Sequence, residues 1–201
     1  MPLAKYRAKR NFKVTSEPEG SRAHRAHLKL AFVVQKHQAS HLHYDFRLEW
    51  KGVLLSWAIP KGPSLDPSVK RMAVAVEDHP LEYGAFEGTI PEGQYGGGTV
   101  MVWDRGTWIP EDPDVDEALS RGDLKFTLRG SKLKGSWVLV RIKPRGNARP
   151  SWLLIKHRDR YASEEDVTAV KPRSAATRRL MREIAAAGGG NREKAAAADP
   201  Q

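Results

Sequence analysis

A chain of 201 residues with a net charge of +10 and no cysteine is long enough for one domain with a substantial core plus tails, and short for two. The lack of cysteine excludes thiolate metal sites, disulfides and thiol nucleophiles, so any metal must be held by imidazole and oxygen ligands. No apolar run approaches the roughly 20 residues of a membrane span, and the basic N-terminus lacks the apolar stretch of a secretory signal, which leads us to expect a cytosolic protein.

The charge is segregated. Residues 1–30 hold eight Lys/Arg against two Glu, residues 121–160 hold twelve against two Asp, and residues 31–120 hold seven against fourteen acidic residues. Basic flanks around an acidic, histidine-bearing centre suit a metal site with phosphate-binding walls.

In chain order, Met1 to about Lys13 is polar and basic with Tyr6 and Phe12 interspersed, and reads as an arm. Ser16-Glu17-Pro18-Glu19-Gly20 is turn chemistry. Leu28 to His37 reads as a strand from its β-branched and aromatic residues. In the next stretch, His41-Leu42-His43-Tyr44-Asp45-Phe46-Arg47-Leu48-Glu49, period two puts the histidines, Asp45, Arg47 and Glu49 on one face and the apolar residues on the other. Lys51-Gly52 can turn the chain into a strand over Val53 to Ile59.

Arg71 to Pro80 reads as a strand finishing in a polar rim at His79. The Gly-rich stretch from Glu87 to Gly98 matches neither a P-loop nor a dinucleotide fingerprint and reads as a wide loop at a barrel end. Thr99 to Trp108 is a further strand, and Val115 to Arg121 a short helix stopped at Gly122. Strands are expected again over Leu124 to Leu128, Leu133 to Ile142 and Trp152 to His157.

Many short strands with Gly and Pro punctuation predict a mainly β fold, a compact antiparallel β-barrel with a few short helices and flexible termini. Its expected parts are a basic arm over residues 1–30 contributing to the site, the barrel over 31–161, and a weakly helical or disordered tail over 162–201.

His37, His43 and Asp45 are a set of imidazole and carboxylate ligands suited to Mn²⁺, Fe²⁺, Co²⁺ or Zn²⁺. Arg47 follows Asp45 on the same face, ready for bidentate contact with an anion. Lys61, Arg71 and His79 are candidates to close around it, with His79 as the acid for a leaving group. Two other classes fit parts of the pattern: a non-haem iron oxygenase with a two-His-one-carboxylate triad, and a non-catalytic nucleic-acid-binding barrel. The cations interleaved with every ligand-bearing segment favour a phosphate substrate.

The stretches Phe32 to Glu49, Ser56-Trp57-Ala58-Ile59-Pro60-Lys61-Gly62-Pro63, Glu77-Asp78-His79-Pro80-Leu81-Glu82-Tyr83 and Phe86 to Gly96 resemble the 3'-phosphoesterase domain of bacterial DNA ligase D. The similarity runs from about Tyr6 to Tyr161. The resemblance implies a manganese-dependent β-barrel enzyme that removes a 3'-terminal ribonucleoside and then a 3'-phosphate in non-homologous end joining. It implies metal ligation by His37, His43 and Asp45, with Co²⁺ or Zn²⁺ as other candidate metals, and catalytic roles for His37, Arg47 and His79. Gln35, Arg47, Lys61, Arg71, His79 and Tyr83 become the groups around the scissile phosphate, joined by Arg10, Asn11 and Glu17 from the arm. Asn11 stands where the family commonly has Asp, a departure that bears on the ribonucleoside step. The implied partners are DNA or DNA–RNA primer-template 3' ends and ligase, polymerase and Ku-type proteins, for a monomer associated with the nucleoid. There is no Lys-x-Asp-Gly nucleotidyl-transfer motif in this chain.

Overall fold

Among the described residues, alternation of apolar and polar side chains is carried through by nine strands: β1 (Ala31–Gln38), β2 (Leu42–Trp50), β3 (Val53–Ile59), β4 (Arg71–Ala75), β5 (Gly88–Ile90), β6 (Gly98–Pro110), β7 (Asp123–Gly130), β8 (Lys134–Ile142) and β9 (Ser151–Lys156). The structure is a computed structural model that describes residues 3–20, 29–143 and 151–200. Eight strands pair antiparallel in the order β1-β2-β3-β4-β9-β8-β7-β6, and β6 returns to β1, which closes the barrel; β5 adds to the start of β6. Closure removes the open edges that a sheet of this length would otherwise expose.

The interior is apolar, and every barrel strand contributes to it. Phe32 and Val34, Tyr44, Phe46 and Leu48, Trp57 and Ile59, Ala73, Met101 and Trp103, Phe126, Trp137 and Leu139, and Trp152 and Leu154 form one buried cluster. Phe46 stacks on Phe126 with ring centroids 5.8 Å apart. The β2–β3 hairpin turns at Lys51 and Gly52, both at positive φ (46° and 80°), the geometry that matches the twist of paired strands. The expected helix is α2 (Val115–Arg121), capped by the Asp114 side chain and ended by Gly122 at φ 83°.

The remaining helices are α1 (Ala4–Ala8), α3 (Val167–Val170), α4 (Met181–Ala187) and α5 (Arg192–Ala196). The C-terminal segment departs from the expected weak or disordered tail: Val167, Met181, Ile184, Ala185, Ala195 and Ala198 are buried in the barrel's own cluster. The Asp199 carboxylate accepts from the backbone N–H groups of Met181 and Arg182, and the Lys36 ammonium donates to the Ala198 carbonyl. Helices this short are unstable alone, so their order comes from packing on the barrel. The arm also does more than decorate the surface. Leu3 and Tyr6 are buried with Val33, Leu54, Tyr83 and Val102 in a second apolar cluster, so the arm is fastened to the outer wall.

Candidate metal centre

Strand register assembles the site. Across β1 and β2, His37 stands opposite His43, Gln35 opposite Asp45 and Val33 opposite Arg47; across β2 and β3, Asp45 faces Ala58 and Arg47 faces Ser56. All these residues have the parity opposite to the interior cluster. The polar face of β2 is therefore on the outer wall of the barrel, not at its mouth, and it is buried because the arm, His79, Tyr83 and the loop 91–97 lie over it. The result is a cavity of about 230 Å³, with His37, His43, Asp45, Arg47, His79 and Arg10 among its walls.

Backbone carbonyls select the imidazole tautomers. His37 Nε2 lies 2.9 Å from the Gly96 carbonyl and His43 Nδ1 lies 3.0 Å from that of His41, so each of these nitrogens donates. The free lone pairs, on His37 Nδ1 and His43 Nε2, both stand 3.7 Å from Asp45 Oδ2. All three candidate ligand atoms lie within 4.8 Å of one another. Two imidazole nitrogens and one carboxylate oxygen, with the opposite ring nitrogens anchored, fit a divalent first-row metal. His41 is exposed and takes part through its carbonyl, not its ring.

Arg47 connects the ligands to the rest of the pocket. It is 2% exposed and donates to Gln35 Oε1 (2.8 Å) and Ser56 Oγ (2.8 Å), with Nη2 3.2 Å from Asp45 Oδ2 and Nη1 2.9 Å from His79 Nδ1, a nitrogen that also faces the Glu77 carbonyl at 2.9 Å. Gln35 is aligned in turn by its amide, which donates to the Tyr83 and Phe86 carbonyls. Burial works to raise the Asp45 carboxyl, but Arg47 and the two histidines outweigh it and hold the group well below the usual carboxylate range. Burial, reinforced by His37 and Arg47 against the opposing pull of Asp45, lowers His43 and favours the neutral ring that binds a metal.

The arm supplies a second guanidinium. Arg10 pairs with Glu17 at 2.8 Å, and its Nη2 lies 3.2 Å from His79 Nε2. Glu17 is itself fixed by the Thr15 hydroxyl at 2.9 Å. Burial, then Arg47 and Arg10, depress His79 well below the ordinary imidazole value. Tyr83 is buried against the His79 ring, centroids 4.7 Å apart, and burial pushes its phenol well above the usual value.

Three candidates are not brought into the pocket. Lys61 continues the parity of Trp57 and Ile59 past the end of β3 and lines a separate cavity beside Tyr44 and Thr168. Arg71 shares the parity of the buried Ala73 and is among the charges that lower the Asp166 carboxyl. Asn11 is exposed, and its side chain accepts from the Lys13 N–H at 3.2 Å in a local turn. Conversely, Ser56, Glu77, Tyr95 and the Gly96 carbonyl belong to the site and carried no separate signal in the sequence. Glu77 pairs with Lys9 at 3.0 Å and Arg10 at 3.4 Å. Tyr95 takes a hydrogen bond from Lys9 at 3.0 Å.

A closed antiparallel barrel with a His-His-Asp group on its outer wall, backed by two buried guanidinium groups, defines the class. The family model of the DNA ligase D 3'-phosphoesterase domain matches residues 35–141, and the chain belongs to that family. It is 51% identical over 184 residues to the multifunctional non-homologous end joining protein LigD of Pseudomonas aeruginosa, covering 90% of this chain and 22% of that protein. It is 40% identical over 163 residues to the protein of the same name from Mycolicibacterium smegmatis (74% and 21%). It is 42% identical over 139 residues to the LigD repair protein of Mycobacterium tuberculosis (69% and 18%). The chain thus spans about a fifth of the length of these relatives.

Proposed function

We propose that this chain is a metal-dependent phosphoesterase that heals 3' ends of DNA or DNA–RNA primer-templates. It removes a 3'-phosphate, and a 3'-terminal ribonucleoside before it, to leave a 3'-hydroxyl for ligation in non-homologous end joining. The observation that carries this reading is the direct link between the ligand set and the anion-binding groups: Arg47 touches Asp45 on one side and His79 on the other. Manganese is the proposed metal, held by His37 Nδ1, His43 Nε2 and Asp45, where a divalent ion polarises a phosphate oxygen and lowers the pKa of water.

The residues divide the remaining work. Arg47 and Arg10 bind the non-bridging phosphate oxygens and neutralise charge that builds there. Gln35 and Ser56 keep Arg47 in place, and Glu17 keeps Arg10 in place. His79 gives a proton to the leaving oxygen. The two guanidinium groups that depress His79 are also those that bind the phosphate, so substrate charge offsets them and restores its basicity. The charges of Lys9, Arg10 and Arg47 balance those of Glu17, Asp45 and Glu77 in the free pocket. A divalent ion then leaves a charge of two, matched by a phosphate monoester dianion.

Ligase, polymerase and Ku-type proteins are the proposed partners, and the protein is proposed to act as a monomer at the nucleoid. The test is phosphate release from a 3'-phosphorylated primer-template with Mn²⁺ and with chelator. Release confined to the metal arm is expected; equal release in both, or none with any divalent ion, would refute the reading. Iron-dependent oxygen consumption would instead establish an oxygenase. A primer ending in one ribonucleotide, compared between the wild type and Asn11→Asp, separates the ribonucleoside step from the phosphatase step.

A further inference from the structure

A further cavity, of about 450 Å³, lies where one edge of β6 is left unpaired while the other stays on β1. β6 pairs with β5 only as far as Val100 and with β7 only from Gly106 onward. The β7–β8 turn and the segment after α3 fill the gap. The charged residues of the cavity wall are Lys132, Lys171, Arg173 and Arg178, and among the described residues no carboxylate lines it, although Glu183 pairs with Arg173 at 3.7 Å from outside.

Carboxylates fix both walls from behind. Asp104, fully buried, accepts from the backbone N–H groups of Ser131, Lys132 and Leu133 at 2.9, 3.0 and 2.8 Å. Glu87 accepts from the hydroxyls of Ser174 (2.6 Å) and Thr177 and from Arg179 (3.2 Å), while also taking the Val102 N–H at 2.9 Å. Lys132 is 9% exposed; its ammonium donates to the Trp103 and Arg173 carbonyls and lies 4.6 Å from the Trp103 ring centroid. Burial, with Arg178 and Lys171 adding to it against the pull of Asp104, brings its pKa down to about 8. Arg178 is held at φ 66°, a left-handed conformation unfavourable for a residue with a side chain. Like charges are being gathered here against their mutual repulsion, on walls already built.

We propose that this cavity is a second phosphate-binding site, which takes a backbone phosphodiester of the nucleic acid whose 3' end enters the His37–His43–Asp45 pocket. The proposal rests on the 3'-end reading above. Placement supports the pairing: the Ala175 N–H donates to the Val102 carbonyl at 2.8 Å, and Val102 stands opposite Gln35. Glu87, which brackets the cation-bearing segment, directly follows Phe86, whose carbonyl receives the Gln35 amide. Lys132 is committed to two carbonyls and Arg173 is shared with Glu183 at 3.7 Å, so Lys171 and Arg178 are the cations offered to a backbone phosphodiester.

The test is binding of the full chain to a fluorescent primer-template with chelator present, across a salt series, for the wild type and the double variant Lys171→Ala/Arg178→Ala. Both side chains are exposed, and circular dichroism checks the fold. The expected result is an affinity about 5- to 30-fold weaker and a log–log salt slope smaller by about 1 to 2. Phosphate release from a short 3'-phosphorylated dinucleotide should be unchanged. Unaltered affinity and slope, or a wild type that does not bind the duplex, overturns the proposal. So does calorimetric binding of inorganic phosphate that the double variant loses while its duplex affinity stays the same, since the site would then serve a free anion. Because binding is read without metal or turnover, a protein that releases no phosphate but loses duplex affinity in the variant would sink the activity reading and leave this one standing.

Discussion

Arg47 Nη1 stands 2.9 Å from Nδ1 of His79, while Arg10 Nη2 stands 3.2 Å from Nε2 of the same ring. The Glu77 carbonyl, 2.9 Å from Nδ1, takes the one ring proton of the neutral form; burial and the two guanidinium groups disfavour a second. The folded protein therefore binds fewer protons than the unfolded one once pH falls below about 6.5. Stability from His79 is fully present above that value and is lost as pH drops through the window toward 5, by up to about 1.4 kcal/mol per unit for each such group. His43, lowered in the same direction, adds to the slope. Urea melts of the metal-free protein between pH 7.5 and 5 should show this decline, and His79→Gln should flatten it. A stability independent of pH over that range would contradict the buried, neutral His79.

Asp45 and His43 are both candidate ligands, yet their removal should differ in cost. His43 has a side chain 24% exposed, so His43→Ala should lose metal binding and activity for about 1 kcal/mol of stability or less. Asp45→Ala leaves the buried Arg47 without its carboxylate, and Arg47→Ala strands Asp45; each should cost about 3–5 kcal/mol. Chemical denaturation of the three variants, beside phosphate release, makes the comparison. Equal stability losses would show that the Asp45–Arg47 pair is not the buried connection described above.

Mn²⁺ should stabilise the protein by mass action, by about 2.7 kcal/mol at a hundredfold excess over its dissociation constant. Thermal melts with and without metal should show the shift in the wild type and lose it in His43→Ala. A shift of the same size in both would place the ion elsewhere.

Gly96 is at φ 77° and its carbonyl receives His37 Nε2 at 2.9 Å. A methyl at this position has room, the nearest atom being His37 Cε1 at 3.7 Å, so Gly96→Ala tests conformation and not clash. It should strain the backbone by about 1–2 kcal/mol and, by disturbing the partner of a ligand, weaken Mn²⁺ binding about 10- to 100-fold. Calorimetric titration of metal into this variant measures the effect; unaltered affinity would remove Gly96 from the site.

Alternation in residues 41–49 was enough to say that His43, Asp45 and Arg47 share a face, because side-chain period in a strand is local covalent geometry. The spacing of the hairpin at Lys51-Gly52 and of the helix ending at Gly122 was legible for the same reason. The apolar face is the interior one, as its residues predict; that the polar face of β2 is also closed to water, beneath the arm, was not legible. Lys61 and Arg71 are expected from the sequence to close around the anion beside Arg47, but strand parity carries them elsewhere. Met181, Ile184 and Ala185 form a stripe too short to stand alone, and become visible only when the barrel end covers it. Donor types, their shared face and the strands that carry them follow from residue identity and local periodicity. Arg10, His79 and Tyr83 are expected there only through the resemblance; how they meet, and that the Gly96 carbonyl joins them, comes from the fold, since barrel closure and burial of Leu3 and Tyr6 join segments that no local periodicity connects.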